Sequence, residues 1–248
     1  MMWQGQAQRI LLALALMIGC LAQTASSQTI RTDLNLVIAV DCSYSVSSGE
    51  FNLQAGGIAS AFSDPQVIAA IQQGRRGRIG VTIIQWSTAD QQIVALPWTL
   101  VSSLNDAIAL ATRASRMQRL TLEGGTSISG ALLKGQVLLQ NAPFRPDREV
   151  IDVIADGENN NGRRIERVRD ELVAQGVTVN ALAVHNEVAY LPYYMQNRVI
   201  GGLGSFVEIA ALYEDFSRAF LRKLLKEIRG PRLTFKEPNR ARNPRQSG

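Results

Sequence analysis

Short apolar runs rich in β-branched residues constrain this chain most. Leu34 to Val40 reads LNLVIAV, Arg78 to Trp86 reads RIGVTIIQW, Val150 to Ala155 reads VIDVIA and Val177 to Val184 reads VTVNALAV. Runs of this length and composition mark strands buried on both faces. Between them, apolar residues recur at helical spacing over Glu50 to Phe62, Pro65 to Gln73, Leu104 to Arg113, Ile128 to Gln140, Arg164 to Ala174 and Tyr213 to Ile228. Strands that alternate with helices need crossover connections, and crossovers give a mainly parallel sheet covered on both faces. The expected fold class is therefore α/β, doubly wound, with helices on both faces. Gln91 to Leu96 follows Trp86 after a short polar turn and is expected to be one antiparallel edge strand. Phe206 to Ile209 is a weaker strand.

Hydrophobic residues make up 46% of the 248-residue chain, enough for one sizeable core. No internal repeat or linker interrupts residues 32–230, which are expected to form one domain. The two ends read differently. Arg9 precedes a continuous apolar run from Ile10 to Met17 within a greasy stretch that runs on to Ala22, and Ala25-Ser26-Ser27 supplies small residues after it. That order describes a secretory leader over residues 1–27, with cleavage near Gln28 and a periplasmic or secreted product. The run is too short to span a bilayer comfortably, so no transmembrane span is expected in the mature chain. An alternative is a lipid anchor on Cys20 after Met17-Ile18-Gly19, although Met fits the first position of that pattern poorly. Cys20 and Cys42 are the only cysteines. Removal of the leader leaves Cys42 alone and precludes an intramolecular disulfide.

The formal net charge is +5. Much of the excess sits in Arg232, Lys236, Arg240, Arg242 and Arg245, beside Pro238 and Pro244 and without periodicity. Residues 231–248 are therefore expected as a basic disordered tail, and no nucleic-acid partner is expected.

The chemistry concentrates at strand ends. Asp41-Cys42-Ser43-Tyr44-Ser45 follows the first strand, and alternation places Asp41, Ser43 and Ser45 on one side. Gly124-Gly125-Thr126 directly precedes a helix, and Asp156-Gly157 ends a later strand. Taken singly, each segment reads as a cap or a turn. Together they place oxygen ligands on loops that one sheet edge can gather, and ligands bind at that edge in open α/β sheets. Oxygen-only ligands suit a hard cation. The only histidine, His185, lacks a partner for a zinc site or a Ser-His-Asp triad. Cys42 should turn into the core as an inert thiol.

With these segments in the order D-x-S-x-S, Thr, Asp, the chain resembles the von Willebrand factor A family. Further stretches are similar to a bacterial subfamily of exported A-like domains of unknown function: Asp64 to Ile68, Gln85-Trp86, Pro97-Trp98-Thr99, Ile151-Asp152-Val153, Asp156 to Gly162 and Gly201 to Val207. Ala155 stands where that pattern has Gly, and Glu158 where it has Pro; neither change removes a ligand. The resemblance implies a metal-ion-dependent adhesion site (MIDAS) formed by Asp41, Ser43, Ser45, Thr126 and Asp156. It implies direct ligation by the three hydroxyls, with the two carboxylates acting through water and through hydrogen bonds to the serines. Mg²⁺ is the implied cofactor, with Mn²⁺ or Ca²⁺ as substitutes. The implied function is a binding module, not an enzyme, that bridges to an exposed Asp or Glu of a protein partner. The alternative is a metal-assisted hydrolase at the same site, which needs a general base that the sequence does not place.

Overall fold

The computed structural model describes residues 29–122, 124–185 and 188–231. The leader, its cleavage site, the Cys20 alternative and the tail from residue 232 onward lie outside the described residues. The fold is that of the unit beginning at Arg31.

Strand β1 (Leu34–Asp41) is buried along its whole length. Its side chains alternate between two cores, as a period of two requires. Leu34, Leu36, Ile38 and Val40 enter one cluster and Val37 and Ala39 the other. Helix α1 (Ser48–Ser63) follows, started by a capping box between Ser47 and Glu50. Asp64 ends it and caps α2 (Pro65–Gln72), which has Pro65 in its first turn. β2 (Ile79–Trp86), β3 (Gln92–Val101) and α3 (Leu104–Ser115) come next. Then follow α4 (Ile128–Gln140), β4 (Glu149–Ala155), α5 (Ile165–Ala174), β5 (Thr178–Val184), β6 (Val207–Ala210) and α6 (Phe216–Arg229).

The sheet has six strands in the order β3-β2-β1-β4-β5-β6. All neighbours are parallel except β2 and β3. The α/β class and the single antiparallel edge therefore stand as the sequence implies. The edge strand is longer than Gln91 to Leu96, because it continues through Pro97 to Val101. Proline would break a central ladder, but here the register slips between Val81 and Ile83, and the bulge takes up Pro97 at the sheet edge. One face of the sheet packs on α1, α2, α3 and α6, the other on α4, α5 and a short helical segment over 191–199. That last segment was not legible as a helix. Its Leu191-Pro192 start and π-helical turn at Met195–Val199 lack the 3.6-residue pattern, yet Leu191, Met195 and Val199 are buried. From β1 the chain runs outward to β2 and β3 and returns on the other side at β4, so the strand order reverses between β1 and β4. The crevice at the carboxyl ends of those two strands is where such sheets bind ligands.

Candidate metal centre

Asp41 is the last residue of β1, and Asp156 directly follows β4. The site thus straddles the switch point. Past Asp41 the chain turns at once. The Ser43 N–H donates to Asp41 Oδ1 at 2.7 Å, and Val46 N–H donates to Ser43 O at 3.1 Å. This Asx-type turn brings the two serine hydroxyls within 3.2 Å of each other. Ser45 Oγ then donates to Asp156 Oδ1 at 2.8 Å. Asp41, Ser43 and Asp156 are buried, whereas Ser45 is exposed, so the cluster opens to solvent at Ser45. Cys42 points the other way into the core, where burial pushes its thiol up to about 12.

Thr126 joins through the loop after β4. The helix that follows is capped by Ser127, whose side chain accepts from Gly130 N, so Thr126 is not the cap. Thr126 N–H donates to Asn160 Oδ1 at 2.8 Å, and Asn160 N–H returns to Thr126 O at 2.9 Å. A Cβ built on Gly157 would lie 3.7 Å from Thr126 Oγ1, which sets that hydroxyl alongside the Asp156-Gly157 turn. The flanking asparagines act alike: Asn159 Oδ1 accepts from Ser129 N and Asn161 Oδ1 from Ala89 N, each at 2.8 Å. The Asn159-Asn160-Asn161 run thus ties its loop to the Thr126 loop, to the start of α4 and to the turn before β3. Gly125 permits this approach, since its Cβ would stand 3.1 Å from Asn160 Oδ1.

Three further residues carry the site without a sequence signal. Gln54 Nε2 donates to Asp41 O at 3.2 Å, Tyr213 OH donates to Asp156 Oδ2 at 3.0 Å, and Arg119 binds the carbonyls of the serine loop. Their partners are 13 to 77 positions away in the chain, so no local pattern announces them.

The electrostatics ask for a cation. Burial, and next the Asp156 carboxylate, push the Asp41 carboxyl up to about 8. Asp41 Oδ2 is buried and has no hydrogen-bond partner. A buried unpaired carboxylate oxygen is costly, and a second acid beside it raises that cost. Among the described residues, no group of three or more His, Cys, Asp or Glu side chains could hold a metal ion. The fit therefore rests on two carboxylates together with three hydroxyls, the donor set of a hard, hydrated cation.

The family model described as "Protein of unknown function (DUF1194)" matches residues 31–232. No curated protein matches the chain. Among solved structures, proximal thread matrix protein 1 from the mussel byssus, with a zinc-occupied MIDAS motif, is 15% identical at a TM-score of 0.62. The match covers 81% of this chain and 49% of that one. The von Willebrand factor type A structure from Catenulispora acidiphila is 15% identical at a TM-score of 0.58, over 80% and 43% of the two chains. The pilus adhesin SpaC from Lactobacillus rhamnosus GG is 16% identical at 0.55, over 79% and 30%. The chain spans less than half the length of each of these structures. Matched over most of its length by the family model and carrying the von Willebrand factor A fold, the chain belongs to the DUF1194 family.

Proposed function

We propose that residues 32–230 form an exported binding module whose Asp41, Ser43, Ser45, Thr126 and Asp156 hold a divalent cation, Mg²⁺ by preference, for docking an acidic group of a protein partner. The observation that carries this reading is the buried, unpartnered Asp41 Oδ2 beside a second buried carboxylate and the serine hydroxyls. Bound there, the cation would supply an open coordination position for a partner carboxylate. Ser43, Ser45 and Thr126 would be its direct ligands. Asp41 orients Ser43 through the Ser43 N–H, and Asp156 orients Ser45 through its hydroxyl. The zinc-occupied MIDAS of the mussel protein supports a metal in this fold, and the pilus adhesin supports a binding role.

Two features favour docking. Tyr44 and Leu122 are 78% and 74% exposed, and the Tyr44 N–H donates to Gly124 O at 2.9 Å, which holds Tyr44 beside the Thr126 loop. Large apolar side chains exposed around a polar centre suit a protein partner. Tyr213, the hydroxyl on Asp156, is driven far above its ordinary pKa by burial and the nearby carboxylates, so it acts as a donor and not as a general base.

The test is isothermal titration of the wild type and Asp41→Ala with Mg²⁺ and Mn²⁺, followed by capture from envelope extract with Mg²⁺ or with EDTA. Wild type should bind metal, and Asp41→Ala should fold yet bind far more weakly. Equal affinities would sink the site. Capture indifferent to EDTA would leave the site standing and refute the bridge.

A further inference from the structure

A single guanidinium closes the serine loop from behind. Arg119 lies in the segment between α3 and α4. Its Nη2 donates to Cys42 O at 2.6 Å and to Ser43 O at 3.0 Å, and its Nη1 donates to Val46 O at 2.8 Å. These carbonyls bracket Ser43 and Ser45. The loop has left β1 and has not yet entered α1, so its carbonyls lack regular secondary-structure partners. Cys42, Ser43 and Val46 are all buried, which limits what water can do for them. A planar fork that donates from two nitrogens meets all three at once; an ammonium, a point donor, cannot copy that geometry.

The position of Arg119 is itself set by the strand beside β1. Leu120 N–H donates to Gln85 Oε1 at 2.6 Å, and Gln85 Nε2 donates to Gln118 O at 2.8 Å. Gln85 is buried on β2 in register with Val40, one residue before Asp41. The segment on both sides of Arg119 is therefore fixed to the sheet at the level where the carboxylate emerges.

We propose that Arg119 is a positioning residue of the metal site: it holds the loop from Asp41 to Val46 in the form that presents Ser43 Oγ and Ser45 Oγ together, without touching the cation. This rests on the metal reading above. A purely structural role would lower stability and leave the affinity of folded molecules unchanged, whereas a positioning role lowers affinity itself.

The full chain is compared with Arg119→Gln and Arg119→Lys by Mn²⁺ titration well below the unfolding midpoint, by the midpoint in EDTA, and by maleimide labelling mapped by peptide mass to Cys42. Arg119→Gln should weaken Mn²⁺ binding about 10- to 100-fold, the range for residues that orient metal ligands. Arg119→Lys should recover part of it. Cys42 should label faster in Arg119→Gln and slow again at saturating Mn²⁺. A folded Arg119→Gln with wild-type affinity overturns the proposal, whatever its midpoint. If the Gln variant does not fold, Arg119→Lys decides: weakened binding supports the proposal and wild-type affinity overturns it. A wild-type chain that fails to bind Mn²⁺ overturns the metal reading instead, and this inference with it.

Discussion

Asn160 holds the Thr126 loop by hydrogen bonds, as Arg119 holds the serine loop. The Asn160 side-chain Oδ1 accepts from Thr126 N–H and its own backbone N–H donates to Thr126 O, across 34 positions of sequence. Asn160→Ala removes the acceptor of Thr126 N and frees that loop, while the rest of the domain keeps its core. We expect Mn²⁺ affinity to fall about 10- to 100-fold with only a small loss of stability. Asn160→Asp, which keeps an acceptor oxygen, should retain more of it. Calorimetric titration with Mn²⁺ checks both, and an unchanged affinity in the alanine variant contradicts the role. At this scale Asp41, Ser43 and Ser45 were legible because they sit in one short stretch. Thr126 and Asp156 were legible only as parts of an ordered set. Asn160, Arg119, Gln54 and Tyr213 were not legible in these roles, because each acts on a partner that only the fold brings near.

At the scale of elements, adjacent glycines in α1 make opposite predictions. Glycine in a helix interior costs about 0.5–1 kcal/mol relative to alanine. At Gly56 an added Cβ meets nothing within 4 Å, so Gly56→Ala should stabilise by up to that amount. At Gly57 the Cβ would stand 2.5 Å from Phe216 Cδ1 and 3.1 Å from the Ser217 Cα, where α6 crosses α1. Overpacking costs about 1–3 kcal/mol, so the steric effect wins and Gly57→Ala should destabilise. Urea midpoints of the two variants should move in opposite directions; movement in the same direction would contradict the close crossing. The start of α3 supplies a pH test. Burial raises the pKa of Asp106, but hydrogen bonds from Ser102 N, Ser102 Oγ and Ser103 N outweigh it, and the carboxyl lies below its ordinary value. A depressed folded pKa stabilises above the unfolded value and is lost as pH falls through the folded one. The stability gap between wild type and Asp106→Asn should therefore be full above about pH 4 and shrink below it. Unfolding curves across that window measure it, and a gap that grows with acid would reverse the assignment.

At the scale of the whole molecule, a buried charged group that no apolar pattern reveals joins α6 to the sheet. Lys223 of α6 is fully buried, with Nζ 2.6 Å from Asp152 Oδ1 on β4 and 2.6 Å from Glu227 Oε1. Asn180 of β5 donates to the same Glu227 oxygen at 3.0 Å. Burial, together with Glu227, pushes Asp152 up to about 8 despite the ammonium beside it. Removing one member of such a group leaves its partners buried and uncompensated. Lys223→Met is expected to cost about 3–5 kcal/mol although it adds apolar surface. Chemical unfolding measures this, and a neutral or stabilising result would show that the group contributes nothing net.

The sequence by itself determined the α/β class, the buried central strands, the placement of α4 at Ile128–Gln140 and the strand ends that carry the candidate ligands. Periodicity and composition act locally, and each of these follows from neighbours within a few positions. Only the tertiary structure decided that β3 runs past Pro97, that residues 191–199 are helical, and that Lys223, Arg119 and Asn160 meet their partners. The reason is physical. A bulge at a sheet edge, a buried charge and a carbonyl clamp are satisfied by groups 34 to 77 positions away or on another element, and those distances close only when the sheet order does.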